Sequence, residues 1–297
     1  MPELPEVETV KRGLSRLLPG LVVASVFSDN PKSFPNAQAD TDAFLVGASV
    51  VSVDRRAKVL LIEFSTKYSL VVHLKMTGQL VFRGRAVQFG AGHPSGSLVG
   101  ELPDKSTRVI ITFTDGSRLF FNDQRKFGWM RLLPTAAVPQ IDFFKTVGPE
   151  PLDASFTADT LWDRLQRRKK TNIKAALLDQ SVLAGVGNIY ADESLWGAHI
   201  HPRTSVQSIP KRAAEGLHQA IVDILKLSIE KGGSTSRTYV DAEGRRGSYL
   251  SFANVFRREG QPCPRCGTII IKIKVAGRGT HVCPQCQQVD YPGGVVL

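Results

Sequence analysis

The sequence predicts an α+β chain of several domains: an N-terminal helix leading into an antiparallel β-sandwich or barrel, then a helical domain, then a small cysteine-bearing β-hairpin. Three observations carry that expectation. One amphipathic run at the start gives way to seven short β-rich runs. After a proline-marked stretch the apolar period becomes helical, and all four cysteines then fall in one block, Cys263-x2-Cys266 and Cys283-x2-Cys286. At 297 residues, 42% hydrophobic and 22% charged, the chain is long enough for two cores.

Val7, Val10, Leu14, Leu17 and Leu18 recur at helical spacing until Pro19-Gly20, which predicts a helix over 4–18 with Pro2 and Pro5 at its entry. The β-rich runs cover 21–27, 49–53, 59–64, 69–74, 108–114, 117–121 and 129–133, and Thr114-Asp115-Gly116-Ser117 is a hairpin signal between two of them. The segment 84–104 is rich in Gly and Pro and is expected to be a long, mobile surface loop. Pro134, Pro139, Pro149 and Pro151 mark a linker, beyond which helices are expected over 157–168, 172–182, 188–197 and 209–231. A polar Gly-Gly-Ser-Thr-Ser break at 232–236 separates the last helix from the cysteine block.

The net charge is +11, from 38 Lys and Arg against 27 Asp and Glu, and the excess lies in the second half. Arg164, Arg167, Arg168, Lys169, Lys170 and Lys174 crowd one stretch, and Arg237, Arg245, Arg246, Arg257, Arg258, Arg265, Lys272, Lys274 and Arg278 follow. Such a one-sided footprint favours a polyphosphate partner. No run approaches the ~20 apolar residues that span a bilayer, and no basic amphipathic helix accompanies the charge, so a membrane partner is not expected. The acidic N-terminal stretch lacks a charged-then-apolar leader, which predicts the cytoplasm.

Two Cys-x2-Cys knuckles 16 residues apart match a four-thiolate tetrahedral zinc site. Two disulfides are the alternative, disfavoured in a cytosolic chain. Four sulfur ligands leave no open position, so one structural zinc ion is expected. Between the knuckles, Gly277-Arg278-Gly279 puts an arginine on a hairpin tip, and alternating Ile269, Ile271 and Ile273 suggest the hairpin itself. Gly185-Val186-Gly187-Asn188 precedes a helix whose free N–H groups make a seat for phosphate. At the other end, Pro2 is small enough for Met1 to be trimmed, which would leave a secondary amine beside Glu3 and able to form an iminium with an aldehyde-like carbon.

Nearly the whole chain resembles the bacterial formamidopyrimidine-DNA glycosylases of the formamidopyrimidine-DNA glycosylase/endonuclease VIII family. The motifs are Pro2-Glu3-Leu4-Pro5-Glu6-Val7-Glu8-Thr9-Val10, Arg55-Arg56-x-Lys58, His73-Leu74-x-Met76-x-Gly78, Asp123-x-Arg125-x-Phe127-Gly128, Gly148-Pro149-Glu150-Pro151-Leu152, 185–193 and the cysteine block with Gly277-Arg278; only 84–104 lies wholly outside. The resemblance implies a sandwich domain over 1–134, a linker over 135–155, a helix-two-turn-helix domain over 156–235, a damaged-base loop over 236–255 and a zinc finger over 256–297. It implies a bifunctional DNA glycosylase and abasic-site lyase of base excision repair. That enzyme removes 8-oxoguanine and formamidopyrimidines from duplex DNA and finishes by β,δ-elimination.

By the same resemblance, Pro2 is the nucleophile at C1′, Glu3 the acid assisting sugar-ring opening and Glu6 its support. Lys58 serves glycosidic cleavage and β-elimination, and Arg278 phosphate binding and δ-elimination. His73, Asn188 and Lys169 contact DNA. Met76, Arg125 and Phe127 fill the gap left by the extruded base, with Arg125 facing the orphan cytosine. The partner is damaged double-stranded DNA, held in a basic cleft between domains by a monomer that is cytoplasmic and associated with the bacterial nucleoid. The rivals are an endonuclease VIII-like glycosylase for oxidised pyrimidines and a non-catalytic nucleic-acid-binding zinc-finger paralogue. The 4–8 and 125/127 motifs stand against the first, and intact Pro2, Glu3, Lys58 and Arg278 against the second. Four departures stand out: Ser106 replaces a usual histidine, Ala57 a usual glycine, Lys75 a glycine or arginine, and Phe256-Arg257 a Tyr-Gly pair.

Overall fold

The computed structural model describes residues 1–93, 95–233 and 249–288. Most of the segment expected to form the damaged-base loop, with Arg237, Arg245 and Arg246, lies outside those residues. The chain divides into two compact units, residues 1–145 with 229–249, and residues 146–228 with 250–297.

The first unit opens with helix α1 (Leu4–Leu17), which buries Leu4, Val7, Val10 and Leu14 on one face. Its start is fixed by a reciprocal capping box between Glu3 and Glu6, and Pro5 sits in the first turn, where no N–H is missed. Nine strands follow: β1 (Val23–Ser28), β2 (Val50–Arg56), β3 (Val59–Phe64), β4 (Tyr68–His73), β5 (Gly78–Arg83), β6 (Gln88–Gly92), β7 (Thr107–Phe113), β8 (Arg118–Asp123) and β9 (Trp129–Pro134). They form two antiparallel sheets, β1-β7-β8-β5-β6 and β2-β3-β4-β9. The core contains Val7, Val10 and Leu14 of α1, residues of both sheets such as Leu60, Val72, Leu80 and Phe121, and Phe89 of β6. This is the sandwich, with α1 in its core. A short helix, α2 (Gln38–Phe44), lies between β1 and β2 and was not visible in the sequence pattern.

The expected mobile loop over 84–104 is corrected. It contains β6, which pairs with β5 from Gln79↔Gly92 to Arg83↔Gln88, and a 3-10 turn over Gly96–Leu98. Phe89 and Leu98 are buried, and Ser97 and Ser106 both bond to Asp104. The glycines serve close packing: a Cβ on Gly13 of α1 would sit 2.1 Å from the Phe89 ring.

The second unit is helical, with α3 (Asp142–Thr146) entering it and α4 (Ala158–Gln166), α5 (Ile173–Leu178), α6 (Asn188–Gly197), α7 (Lys211–Glu230) and α8 (Tyr249–Phe252) following, the last two shared across the division. Thr157 and Asn172 cap α4 and α5 through their side chains. α5 stops earlier than the expected 182. Asp179 takes extended backbone at its C-cap, and its carboxylate turns to the N–H and hydroxyl of Ser181. β10 (Ile271–Val275) and β11 (Arg278–Val282) make the hairpin, joined by Ala276 (φ 50°) and Gly277 (φ 72°). Two positive φ values define the tight turn whose twist suits a hairpin.

Candidate nucleic-acid interface and nucleophile site

At the start of α1, Pro2 is buried while Met1 is 47% exposed, so removing Met1 uncovers an amine already seated in the fold. Glu3 and Glu6 are both buried, and the Glu3 N–H donates to Glu6 Oε2 at 2.9 Å. Gly233 comes close to the same carboxylate. A Cβ there would meet Glu6 Oε1 at 3.1 Å, and its φ of 85° already favours glycine. Sequence reasoning gave Gly233 no part, and the Gly-Gly pair preceding a polar run was the available signal.

Lys58 is buried at the β2–β3 turn. The turn is held from two sides by Arg55, whose Nε donates to Glu8 Oε2 of α1 at 3.0 Å and whose Nη1 donates to Ala57 O at 2.9 Å. Burial raises the Glu8 pKa, but the hydrogen bonds from Arg55 and Arg12 outweigh it and hold the carboxyl below its usual range. The ion pair therefore persists at neutral pH and locks the strand turn to the helix that carries Pro2. Ala57 itself adopts φ 53°, which explains why glycine is usual there.

His73 ends β4 with its ring against Trp129 and Phe143. Its Nδ1 accepts the Lys75 N–H at 3.0 Å, so in the neutral ring Nε2 carries the proton and serves as a donor. Burial, then the charges of Lys75 and Lys58, push its pKa down to about 3. Lys75 adopts φ 49° in the turn that follows.

Two loops of this unit are joined through Asp123, which is fully buried. Thr77 Oγ1 and the Arg125 N–H share its Oδ1, the Arg125 N–H also reaches Thr77 Oγ1, and the Gly128 N–H donates to Oδ2 at 2.6 Å. One carboxylate thus fastens the loop with Met76 to the loop with Arg125 and Phe127. Phe127 is 53% exposed with the Arg125 guanidinium 4.9 Å from its ring centre, and Met76 is half-buried. An aromatic that open is not a core residue.

In the second unit, Asn188 opens α6, Lys169 is exposed after α4 and Arg278 is exposed at the first position of β11. Asn188 Nδ2 donates to Gly279 O at 3.1 Å, while its buried Oδ1 has no partner among the described residues. Lys174 does not belong to the basic surface in which the sequence reading counted it. It is fully buried, with Nζ 2.6 Å from both Asp192 Oδ1 of α6 and Thr280 Oγ1 of β11. Asp192 Oδ2 also accepts the His281 N–H at 2.9 Å. Glu193 accepts from the N–H groups of Asn254, Val255 and Phe256. These carboxylates anchor the hairpin and its approach to α6, and nothing in their sequence spacing announced the role.

The four cysteine sulfurs lie within 4.8 Å of one another, with Cys263–Cys286 at 3.9 Å and Cys266–Cys283 at 3.5 Å. Disulfide sulfurs would be about 2.05 Å apart, whereas a tetrahedron with Zn–S bonds of about 2.3 Å has edges of roughly 3.8 Å. Without a cation the thiols compete: a hydrogen bond with Thr268 lowers Cys266 to about 6, while burial raises Cys286 to about 12. The residues fit one structural zinc ion. Trp196 of α6 packs against this cluster, and the Arg265 guanidinium lies 3.8 Å from its ring centre.

A sandwich with a capped N-terminal helix, a helical unit and a zinc hairpin bearing an exposed arginine define a DNA-binding class. Three family models cover most of the chain. They are the formamidopyrimidine-DNA glycosylase N-terminal domain over residues 1–130, its H2TH domain over 147–240, and the zinc finger found in FPG and IleRS over 260–289. The formamidopyrimidine-DNA glycosylase of Desulforamulus reducens is 43% identical over 97% of this chain and 99% of its own length. A complex between a Lactococcus lactis FPG mutant and a Fapy-dG containing DNA matches with TM-score 0.85 and 35% identity, covering 97% of this chain and 100% of that one. A complex of the Lactococcus lactis protein with an abasic site containing DNA gives 0.84 and 34%, over 96% and 99%. The chain belongs to the formamidopyrimidine-DNA glycosylase family.

Proposed function

We propose that the protein is a DNA glycosylase and abasic-site lyase of base excision repair that removes oxidised purines, 8-oxoguanine and formamidopyrimidines, from duplex DNA. Pro2, freed of Met1, attacks C1′ of the damaged nucleotide to give an iminium, and β,δ-elimination then leaves a one-nucleotide gap. Glu3 protonates the opening sugar ring and Glu6 supports it. Lys58 assists base loss and β-elimination. His73, with its neutral Nε2–H, joins Asn188, Lys169 and Arg278 on backbone phosphates, and Arg278 also serves δ-elimination. Met76 and Phe127 enter the space left by the extruded base, as apolar wedges do. Arg125 faces the orphan cytosine, whose O2 and N3 accept its N–H groups.

The observation that carries the reading is the seating of residue 2: a buried proline one position from a buried, capping glutamate, with Lys58 on a turn tied by Arg55 to the same helix. An α-amine titrates near ~7.7–8.0, so a useful neutral fraction exists at cellular pH. Zinc supplies no chemistry to these steps; with four thiolates it holds the hairpin that carries Arg278. No described helix is long and apolar enough to cross a membrane. In this reading the protein works on DNA as a monomer, in the cytoplasm at the nucleoid. The test is borohydride trapping on duplexes containing 8-oxoguanine, a 5-hydroxypyrimidine or an abasic site. Pro2→Glu should abolish the trapped adduct. Wild-type yield from Pro2→Glu would assign another nucleophile, and preference for the pyrimidine lesion would place the chain with the endonuclease VIII type.

A further inference from the structure

Trp196 lies in the last turn of α6 and has no part in the reading above. Its indole Nε1–H donates to Cys263 Sγ at 3.4 Å, so α6 reaches directly to a sulfur of the metal site. The ring is half-buried and packs on a cluster of Val255, Cys263, Ile270 and Cys283. Arg265, inside the first knuckle, stacks on the ring with its guanidinium carbon 3.8 Å from the ring centre. Its Nη1 also donates to the Trp196 carbonyl at 3.0 Å. That carbonyl belongs to the C-terminal end of α6, where the helix dipole favours a cation. The knuckle therefore grips the helix end, and the indole held between them has the direction of its N–H fixed.

Four thiolates outweigh the charge of one zinc ion and leave the cluster a dianion. Hydrogen bonds to the sulfurs offset that charge. The finger supplies some of its own, from the N–H groups of Arg265 and Cys266 to Cys263, from Thr268 to Cys266, and from the Cys286 N–H to Cys283. Trp196 adds one from outside the finger. The cation on the face of the indole draws electron density from the ring, which makes the N–H a better donor.

We propose that Trp196 is a further residue of the metal centre, a positioning residue whose N–H offsets charge on the Cys263 thiolate and sets how tightly the four cysteines hold zinc. Groups that hydrogen-bond to metal ligands without touching the metal typically contribute about 10–100-fold to affinity. The role belongs to the indole N–H and not to the bulk of the ring, because it is the N–H that meets the sulfur. The inference stands on the metal site alone and does not depend on the reading of Pro2 as nucleophile.

The experiment compares the full-length wild type with Trp196→Phe and with a protein carrying benzothienylalanine at position 196, an isostere that keeps the bicyclic ring and removes only the N–H. Zinc affinity is read by competition with a chromophoric chelator, and the thiolates are read directly by cobalt(II) substitution. Both variants should bind zinc at least about 10-fold more weakly than wild type. Their thiolate-to-cobalt charge-transfer band should move to lower energy, because sulfur lone pairs relieved of a hydrogen bond lie higher. Lost packing alone would weaken zinc binding in Trp196→Phe while leaving the isostere and the band as in wild type. A smaller loss of affinity in the isostere, or an unmoved band, overturns the assignment. Should Trp196→Phe fail to fold, the isostere decides alone, since its ring fills the same space.

Discussion

Lys75→Gly should stabilise the first unit, and the matched change Ala57→Gly should not. Both residues hold left-handed backbone, Lys75 at φ 49° and Ala57 at φ 53°. An L-residue in that region carries about 1–2 kcal/mol of strain. Glycine relieves it but enlarges the unfolded ensemble by about 0.4–1 kcal/mol. For Lys75, half-buried and contributing its backbone N–H to His73, the difference leaves a gain of about 0.5–1 kcal/mol. Ala57 is fully buried, so glycine also forfeits a methyl worth about 0.8 kcal/mol, which brings its balance to about zero or below. Urea unfolding followed by tryptophan fluorescence reads the two variants, with the midpoint expected to rise for Lys75→Gly and to stay or fall for Ala57→Gly. A lower midpoint for Lys75→Gly at unchanged slope would refute the strain argument. Equal gains for both would refute the share given to the buried methyl.

Acid should weaken the first unit through His73. Its folded pKa, about 3, lies below the ordinary 6.5, so the unfolded chain binds the proton first and stability is lost as pH falls through that window. On the order of 2–3 kcal/mol should disappear between pH 6.5 and 4.5, and His73→Gln should flatten that limb of the stability–pH curve. Phe127→Ala should change stability by under about 1 kcal/mol because the ring is half in solvent, yet slow excision; destabilisation by several kcal/mol would return Phe127 to the core. Arg125→Ala should erode discrimination between 8-oxoguanine opposite cytosine and opposite adenine, measured as a ratio of single-turnover rates. Lys174→Met leaves the buried Asp192 without its ammonium partner, with only His281 still bonded to it, and should destabilise the second unit by about 3–5 kcal/mol, seen as early unfolding by circular dichroism, with zinc content unchanged in the folded fraction.

Much of this was legible in the residues because local signals agreed with packing. α1 announces itself through Val7, Val10 and Leu14, and the cysteine spacing alone specifies the metal. What could not be read was the work done by partners far apart in sequence. β6 was hidden because Gly90 and Gly92 resemble a loop, yet a Cβ on Gly92 would fall 2.5 Å from Gly78 O. Lys174 looked like one more surface cation because composition cannot show that Asp192 and Thr280 enclose it. Asp123 was quoted only as the first letter of a motif, since its three donors come from two loops that periodicity leaves unrelated. The departures at 57, 75 and 257 became intelligible only through backbone angles. Each stands at positive φ where glycine is common, alone at 57 and 257 and beside arginine at 75, with Arg257 at 58°, so the path of the chain is kept under side chains that strain it.

The dry Lys174–Asp192–Thr280 contact has a consequence for how DNA can be read. Asn188 and Arg278 sit on different elements, yet α6 and β11 are clamped through Asp192 and again through Asn188 to Gly279 O. If Asn188 and Arg278 hold backbone phosphates as proposed, the two positions behave as the jaws of a caliper whose opening is set in advance. A caliper of fixed span accepts one spacing between the oxygens that it grips and rejects others. It responds to how far the sugar–phosphate chain is stretched or kinked before any base is inspected. Undamaged DNA that resists bending would be passed over on mechanical grounds, and a lesion that softens the duplex would be the first thing to fit.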